Sequence, residues 1–107
     1  MNVITNNQIK CTIALASLQF VMDPEIGLNV VDLGLISQID FDEGAKSIYT
    51  SMTLTTQFCP MGESITTAVT HAIEKVFVNY VVKVDVVFDP PWNHTMISEK
   101  GHDYLNQ

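Results

Sequence analysis

The sequence contains no arginine: its five basic residues are all lysines, against twelve aspartates and glutamates in 107 residues. The chain therefore has no forked guanidinium with which to bind phosphate or carboxylate groups in a bidentate way. Its formal net charge of -7 repels nucleic acid and anionic membrane surfaces, so we expect neither as a partner. The charge leaves a basic or metal-bearing protein open as a partner.

Cysteine is also scarce, with only Cys11 and Cys59 in the chain. Two cysteines are too few for a disulfide framework, which indicates a reducing, cytoplasmic setting. No Cys-x-x-Cys motif or close histidine pair predicts a zinc site. An apolar content of 47% in 107 residues is enough for a core without disulfides or structural metal, so we expect one domain spanning 1–107.

No apolar run is long enough to span a bilayer. The best candidate, 11–22, is interrupted by polar residues and followed by an acidic Asp-Pro-Glu segment, which does not fit a signal peptide. We interpret it as a core helix that begins with a capping box from Thr5 to Gln8 and ends before Pro24. Cys11 falls on its apolar face and is predicted to be core filler.

The rest of the chain predicts the order helix, strand, strand, helix, strand, helix. A short glycine-containing loop should make the first two strands antiparallel, whereas the helix between the second and third should make those two parallel. The threonine-rich side of the second strand is expected to face solvent. The fold class is therefore a two-layer α/β (α+β) domain with a small mixed sheet. The predicted strands are 33–41, 46–55 and 81–88, and the later helices are 61–77 and 96–105.

Cys59 lies at the junction between the second strand and the second helix. Pro60 fits the first helical position, where its missing N–H costs nothing. Cys59 would then face unpaired backbone N–H groups and the positive end of the helix dipole, which favours the reactive thiolate. The alternative is a buried small hydrophobe that closes a loop.

The predicted topology brings three loops to one end of the sheet, where ligands commonly bind in α/β proteins. Cys59 lies in one loop, and Trp92, interpreted as a core anchor, lies in another. Asp23 and Glu25 lie in the third, either as part of a solvated loop or, if the fold brings them near Cys59, as hydrogen-bond acceptors or hard metal ligands. The sequence therefore predicts a site around Cys59, with supporting residues Asp23, Glu25, Thr56, Pro60 and Trp92.

Five different short motifs are spread along nearly the whole chain. They are Asp-Pro-Glu-Ile at 23–26, Asp-Leu-Gly-Leu-Ile at 32–36, Cys-Pro at 59–60, Asp-Pro-Pro-Trp at 89–92 and Ile-Ser-Glu at 97–99. Together they resemble the SufT/PaaD-like family of small iron–sulfur cluster assembly proteins. The resemblance implies a compact two-layer fold similar to the NifU carboxyl-terminal scaffold. It also implies a role in maturing iron–sulfur proteins, with Cys59 as the leading functional residue.

Two features separate the branches of that family. The PaaD branch, which helps to assemble a multicomponent phenylacetyl-CoA oxygenase, continues into a cysteine-rich tail, and this sequence has none before Gln107. We therefore expect the short SufT-like branch, with a PaaD-like assembly subunit as the alternative. Asn93 and His94 stand where relatives often carry Thr-Pro, so His94 inherits no role.

A stable iron–sulfur cluster usually needs four thiolates, and this chain has two cysteines. We expect a non-enzymatic carrier or adaptor that uses Cys59 transiently. A labile cluster or iron would be shared across a homodimer, or with assembly proteins or client apoproteins. One alternative is an enzyme with Cys59 as the nucleophile and a histidine base. The other is an interaction module that docks a partner through Trp92 and its acidic surface.

Overall fold

The computed structural model describes residues 3–23, 26–54, 62–88, 92–93 and 96–105. A four-stranded sheet in the order β1-β2-β3-β4 organises them, with the helices α1 and α2 in contact with each other. No helix among these residues is long and apolar enough to cross a membrane. The elements are β1 (Ile4–Thr5), α1 (Gln8–Leu18), β2 (Ile36–Asp42), β3 (Ser47–Met52), α2 (Gly62–Val76), β4 (Val81–Val86) and α3 (Glu99–Leu105).

The strand pairing confirms the predicted mixed sheet. β2 and β3 form an antiparallel hairpin, and β3 and β4 run parallel on either side of the α2 crossover. The prediction missed β1, which pairs parallel with β2 through Ile4 and Thr5. Two residues are too short to show the alternation by which strands are recognised, so the sequence pattern had no means to reveal β1.

β2 begins at Ile36, three residues later than predicted, and contains an irregularity between Ile36 and Gln38. A bulge of this kind inserts an extra residue into one strand and resets its alternation. It allows Ile36 and Ile39 to be buried although they are three residues apart, while Ser37 is exposed. The bulge therefore explains why Ser37 interrupts the apolar pattern.

The predicted end of α1 was wrong, because the helix stops at Leu18 and is capped by Gln19. The segment that follows turns back on itself: the Val30 N–H donates to the Val21 carbonyl oxygen at 2.9 Å. Met22 forms a bridge with Asn29 in the same turn. These backbone bonds use groups that a longer helix would need, so the helix ends well before Pro24.

The predicted capping box was also wrong. Asn7 is the N-cap of α1, and its side-chain oxygen accepts a hydrogen bond from the Lys10 N–H at 3.0 Å. Thr5 belongs to β1, and its hydroxyl oxygen instead accepts from the Asn7 N–H at 3.2 Å. Asparagine is among the best N-cap residues, and pairing of Thr5 in the sheet keeps it out of that position.

The core lies between the sheet and the two longer helices. Cys11 is 1% exposed, which confirms its interpretation as core filler. His71 on α2 is exposed. The expectation of a solvated face on the second strand was wrong for Ser51 and Thr53, which are buried. There the Ser37 hydroxyl donates to the Ser51 carbonyl oxygen at 3.0 Å and the Thr53 N–H to the Leu35 carbonyl oxygen at 2.8 Å.

Candidate functional site

The start of β2 and the ends of β3 and β4 lie at one end of the sheet, as the predicted strand directions require. Ile36 at the start of β2 pairs with Met52 at the end of β3, and Met52 pairs with Val86 at the end of β4. We call this the site end. The segment that carries Cys59 follows β3 there in sequence, after Leu54.

Four predicted site residues, Glu25, Thr56, Cys59 and Pro60, lie outside the described residues, so their placement stays a prediction. Asp23 is described and is 1% exposed, which excludes the solvated alternative for this residue. Its N–H donates to the Leu28 carbonyl oxygen at 2.9 Å, and its own carbonyl oxygen accepts from the Gly27 N–H at 2.8 Å. The backbone of Asp23 therefore closes the turn that enters the site end.

Trp92 anchors the loop after β4. Its indole Nε1 donates to the carbonyl oxygen of Leu33 at 2.6 Å, and its half-buried ring packs against the core. A tryptophan that is largely buried usually finds an acceptor for its N–H. This contact agrees with the anchor interpretation and ties the loop after β4 to the loop before β2.

Asp32 forms a second connection, between the loop before β2 and the segment that leads into α3, and the sequence analysis did not assign it a role. It is 8% exposed, and its two carboxylate oxygens accept from the Asn29 side-chain amide at 2.7 Å and from the Ser98 hydroxyl at 2.9 Å. Its backbone N–H donates to the Asn29 side-chain oxygen at 2.8 Å, and its carbonyl oxygen accepts from the Ser98 N–H at 2.7 Å. These donors compensate the cost of burying the carboxylate.

Ser98 also starts α3, because its hydroxyl oxygen accepts a hydrogen bond from the Gly101 N–H at 3.0 Å. One serine thus joins the buried carboxylate of Asp32 to the first turn of a helix. The sequence offered a partial signal: a serine directly before Glu99 is typical of a helix N-cap. Nothing in a single sequence indicates that its partner is Asp32, 66 positions earlier.

Gly34 makes the third connection, a close backbone contact with Met96. Its φ is +74°, a conformation that residues with a Cβ rarely adopt. A Cβ built at Gly34 would lie 2.1 Å from the carbonyl oxygen of Met96. The backbone at 32–34 and the backbone at 96–98 are therefore in direct contact. We call residues 32–34, together with Trp92, Met96 and Ser98, the anchor.

The described side chains do not supply a closed set of metal ligands. Within the described ranges, no group of three or more histidine, cysteine, aspartate or glutamate residues is placed to hold an ion. Burial raises the pKa of the Cys11 thiol, which disfavours the thiolate that metals bind. Any iron or cluster at the site end would therefore need ligands beyond these residues.

Comparisons with known proteins identify the family of this chain. The model of a family described as "Iron-sulfur cluster assembly protein" matches residues 13–86. A Porphyromonas gingivalis protein named Fe-S protein maturation auxiliary factor is 44% identical over 78% of this chain and 79% of its own length. The auxiliary factor SufT of Staphylococcus aureus is 37% identical over 73% of this chain and 88% of its own.

Solved structures share the fold over nearly the whole chain. A domain of unknown function, DUF59, from Bacillus anthracis superposes with a TM-score of 0.86 at 29% identity and covers 92% of this chain and 93% of that one. A Mycobacterium tuberculosis protein described as associated with iron–sulfur complex assembly and repair gives a TM-score of 0.52 at 28% identity, over 94% and 87% of the two chains. The predicted small mixed α/β domain is thereby confirmed.

Proposed function

The chain belongs to the family of iron–sulfur cluster assembly proteins, and we propose that it is an auxiliary factor in iron–sulfur protein maturation that acts through Cys59. The observation that carries this proposal is the extent of the family match. Residues 13–86 include Cys59 and exclude Cys11, the buried thiol. The related auxiliary factors of P. gingivalis and S. aureus support the same role.

The chemistry of the proposal is ligand exchange and not bond-making catalysis. Cys59 precedes a proline and the helix α2, a sequence context that favours thiolate. One reactive thiol per chain falls short of the four thiolates that usually hold a cluster. The cargo, a labile cluster or iron, is therefore shared with an assembly protein, a client apoprotein or a second copy of the chain.

The anchor supports this role by making the surroundings of the site end rigid. Transfer sites work best when their flanking backbone is fixed by packing and hydrogen bonds. Here the loop before β2 is held by Asp32, and the loop after β4 is held by Trp92. Both loops flank the end of β3, from which the Cys59 segment continues in sequence. Asp23 and Glu25 are proposed as supporting groups in the adjoining turn.

The proposal is tested in cells that lack the protein and carry Cys59→Ser or Cys11→Ala. We expect Cys59→Ser to lose support of iron–sulfur enzyme activity, because the cargo-binding thiolate is gone. Cys11→Ala is the matched control: it removes the other thiol from the core and should retain support. Far-UV circular dichroism and thermal unfolding check that both variants are folded. Wild-type activity with Cys59→Ser would contradict the proposal.

A transfer assay tests the mechanism directly. Anaerobic reconstitution with iron and sulfide is followed by visible absorption, with and without an apo-acceptor protein. We expect the wild type and Cys11→Ala to pass iron–sulfur absorption to the acceptor and Cys59→Ser to pass none. Equal transfer by all three proteins would remove Cys59 as the transfer residue.

A further inference from the structure

β4 lies at one side of the sheet, and among the described residues no strand pairs with its outer side. The exposed face of this strand carries apolar side chains: Val81 is 69% exposed, and Val87, directly after the strand, is 41% exposed. Exposed edge strands are templates for pairing with another chain, and proteins often discourage this with a lysine. β4 does carry Lys83, but Asp85 follows two residues later on the same face.

The direction of the backbone groups on β4 is fixed by its bonds to β3. The Val81 N–H donates to the Lys46 carbonyl oxygen and the Val87 N–H to the Met52 carbonyl oxygen, both at 2.8 Å. Odd-numbered residues of β4 thus point their backbone groups towards β3. Since the direction alternates along a strand, Val82, Val84 and Val86 point their N–H and carbonyl groups outwards.

The sequence of this segment is self-complementary about Val84. Read outwards from Val84, each apolar position on one side has an apolar counterpart on the other, and Lys83 is the counterpart of Asp85. In an antiparallel pair with a two-fold axis at Val84, Lys83 of each copy lies opposite Asp85 of the other. The segment reads Val81, Val82, Lys83, Val84, Asp85, Val86 and Val87.

The same axis satisfies the backbone. Val84 faces its own counterpart and Val82 faces Val86, and these are the residues with outward N–H and carbonyl groups, so each facing pair exchanges two hydrogen bonds. Lys83 and Asp85 then occupy a non-hydrogen-bonded pair, where side chains lie closest. Val81 of each copy packs beside Val87 of the other on the same face, which partly shields two exposed apolar side chains per copy from water.

Other registers fail on charge or on hydrogen bonding. An axis at Lys83 would keep the hydrogen bonds between outward-facing residues but would place the two Lys83 side chains opposite each other. An axis at Val82 keeps the hydrogen bonds but leaves Lys83 opposite Val81, and it puts Asp85 beyond the start of the strand at Val81. An axis between two residues would pair outward-facing with inward-facing backbone groups, and among the axes at a residue only Val84 sets Lys83 opposite Asp85.

We propose that this protein forms a homodimer through antiparallel pairing of β4 with β4 of a second copy, centred on Val84. The two sheets become one continuous sheet, with the Lys83–Asp85 pairs fixing the register. This inference rests on the geometry of β4 alone and does not depend on the proposed function.

Charge reversal is the sharpest test. Lys83→Asp and Asp85→Lys each place like charges opposite one another and should weaken the dimer about ten-fold or more. The double variant Lys83→Asp/Asp85→Lys restores opposite pairs and should recover dimerisation to near the wild-type constant. Lys100→Asp, an exposed charge reversal on α3, is the matched control and should leave the constant unchanged. Sedimentation velocity over a concentration series measures all five proteins.

A second test uses the backbone. Val84→Pro removes an outward N–H but none that bonds β3, so it should give a folded monomer. Amide hydrogen exchange of the wild type provides an independent readout: protection at Val82, Val84 and Val86 should rise with protein concentration. A wild type that stays monomeric at every concentration overturns the proposal. So does a dimer that the double charge reversal fails to restore, or one without concentration-dependent protection at these three amides.

Discussion

Polar clusters hold both ends of the sheet together, but one cluster is buried and the other is exposed. At the site end, the buried carboxylate of Asp32 accepts hydrogen bonds from Asn29 and Ser98. At the other end, which we call the hairpin end, the ammonium of Lys10 donates to Glu43 and, at 2.9 Å, to the hydroxyl of Tyr80. The Tyr80 hydroxyl in turn donates to Glu43. Each end joins distant segments of the chain through a polar cluster.

The difference between them is burial. Exposed ion pairs lose most of their energy to solvent screening and side-chain entropy, whereas a buried polar group left without its partner costs its full desolvation free energy. We therefore expect the site end to tolerate few substitutions and the hairpin end to tolerate many. That pattern fits a protein whose function requires fixed loops at one end of its sheet only.

The largest expected effect is at Gly34. Gly34→Ala forces a Cβ into a backbone with φ +74° and towards the Met96 carbonyl oxygen, 2.1 Å away. Strain and overpacking together should lower the free energy of unfolding by about 2–5 kcal/mol. Urea denaturation followed by circular dichroism measures the change.

Gly44 at the hairpin end is the matched control for Gly34. A Cβ there would lie 3.5 Å from the nearest atom, a carboxylate oxygen of Asp42, which is an ordinary contact. Gly44→Ala should change the free energy of unfolding by less than about 0.5 kcal/mol. Equal losses at the two glycines would break the contrast between the ends.

The second-largest loss of unfolding free energy is expected when the buried carboxylate of Asp32 is removed. Asp32→Ala leaves the side chains of Asn29 and Ser98 without their acceptor, and we expect a loss of about 2–3 kcal/mol in unfolding free energy. Chemical denaturation measures it, with thermal unfolding as a second readout.

Asp42→Ala supplies the comparison at the hairpin end. Asp42 is exposed and accepts one hydrogen bond, from the Ala45 N–H at 3.0 Å, so its removal should cost about 1 kcal/mol or less. If Asp42→Ala proved as damaging as Asp32→Ala, burial would not be what distinguishes the two ends.

The sequence predicted the helices and strands better than the long-range hydrogen bonds that join them. Alternation in β3 and helical periodicity in α2 are local signals, and both elements formed within three residues of their predicted bounds. The anchor is not local: Asp32 meets Ser98 across 66 positions, and Trp92 meets Leu33 across 59. A single sequence contains both partners of each hydrogen bond, but it does not indicate that they contact each other.

Errors at the ends of elements have the same origin. Helix α1 ended early because backbone bonds between Val21 and Val30 replaced its last turn, a competition that propensity does not register. The bulge in β2 shifted a strand whose apolar residues were correctly identified. For the candidate site, the common end of the three strands followed from strand directions, whereas the assignment of Cys59 rests on its sequence context and its family.

The smallest expected effect is at Glu43, and it appears in the pH dependence. Hydrogen bonds from Lys10 and then Tyr80 lower the pKa of this carboxyl group below 4.5. The stabilisation that Glu43 contributes is therefore complete above that value and is lost as the pH falls through the lowered pKa. Glu43→Gln should flatten the loss of stability below pH 4.5 and change little at neutral pH. Thermal unfolding across a pH series measures this.

Glu74→Gln, on the exposed surface of α2, also removes one exposed carboxylate and controls for the change in net charge. Superimposable acid profiles for Glu43→Gln and the wild type would show that the ion pair at the hairpin end contributes nothing to folding. A loss at neutral pH as large as that of Asp32→Ala would reverse the contrast between the two ends, since an exposed cluster would then match a buried one. We expect the order Gly34, Asp32, Glu43, because a backbone clash costs more than a buried carboxylate left out, and a buried carboxylate contributes more than an exposed ion pair.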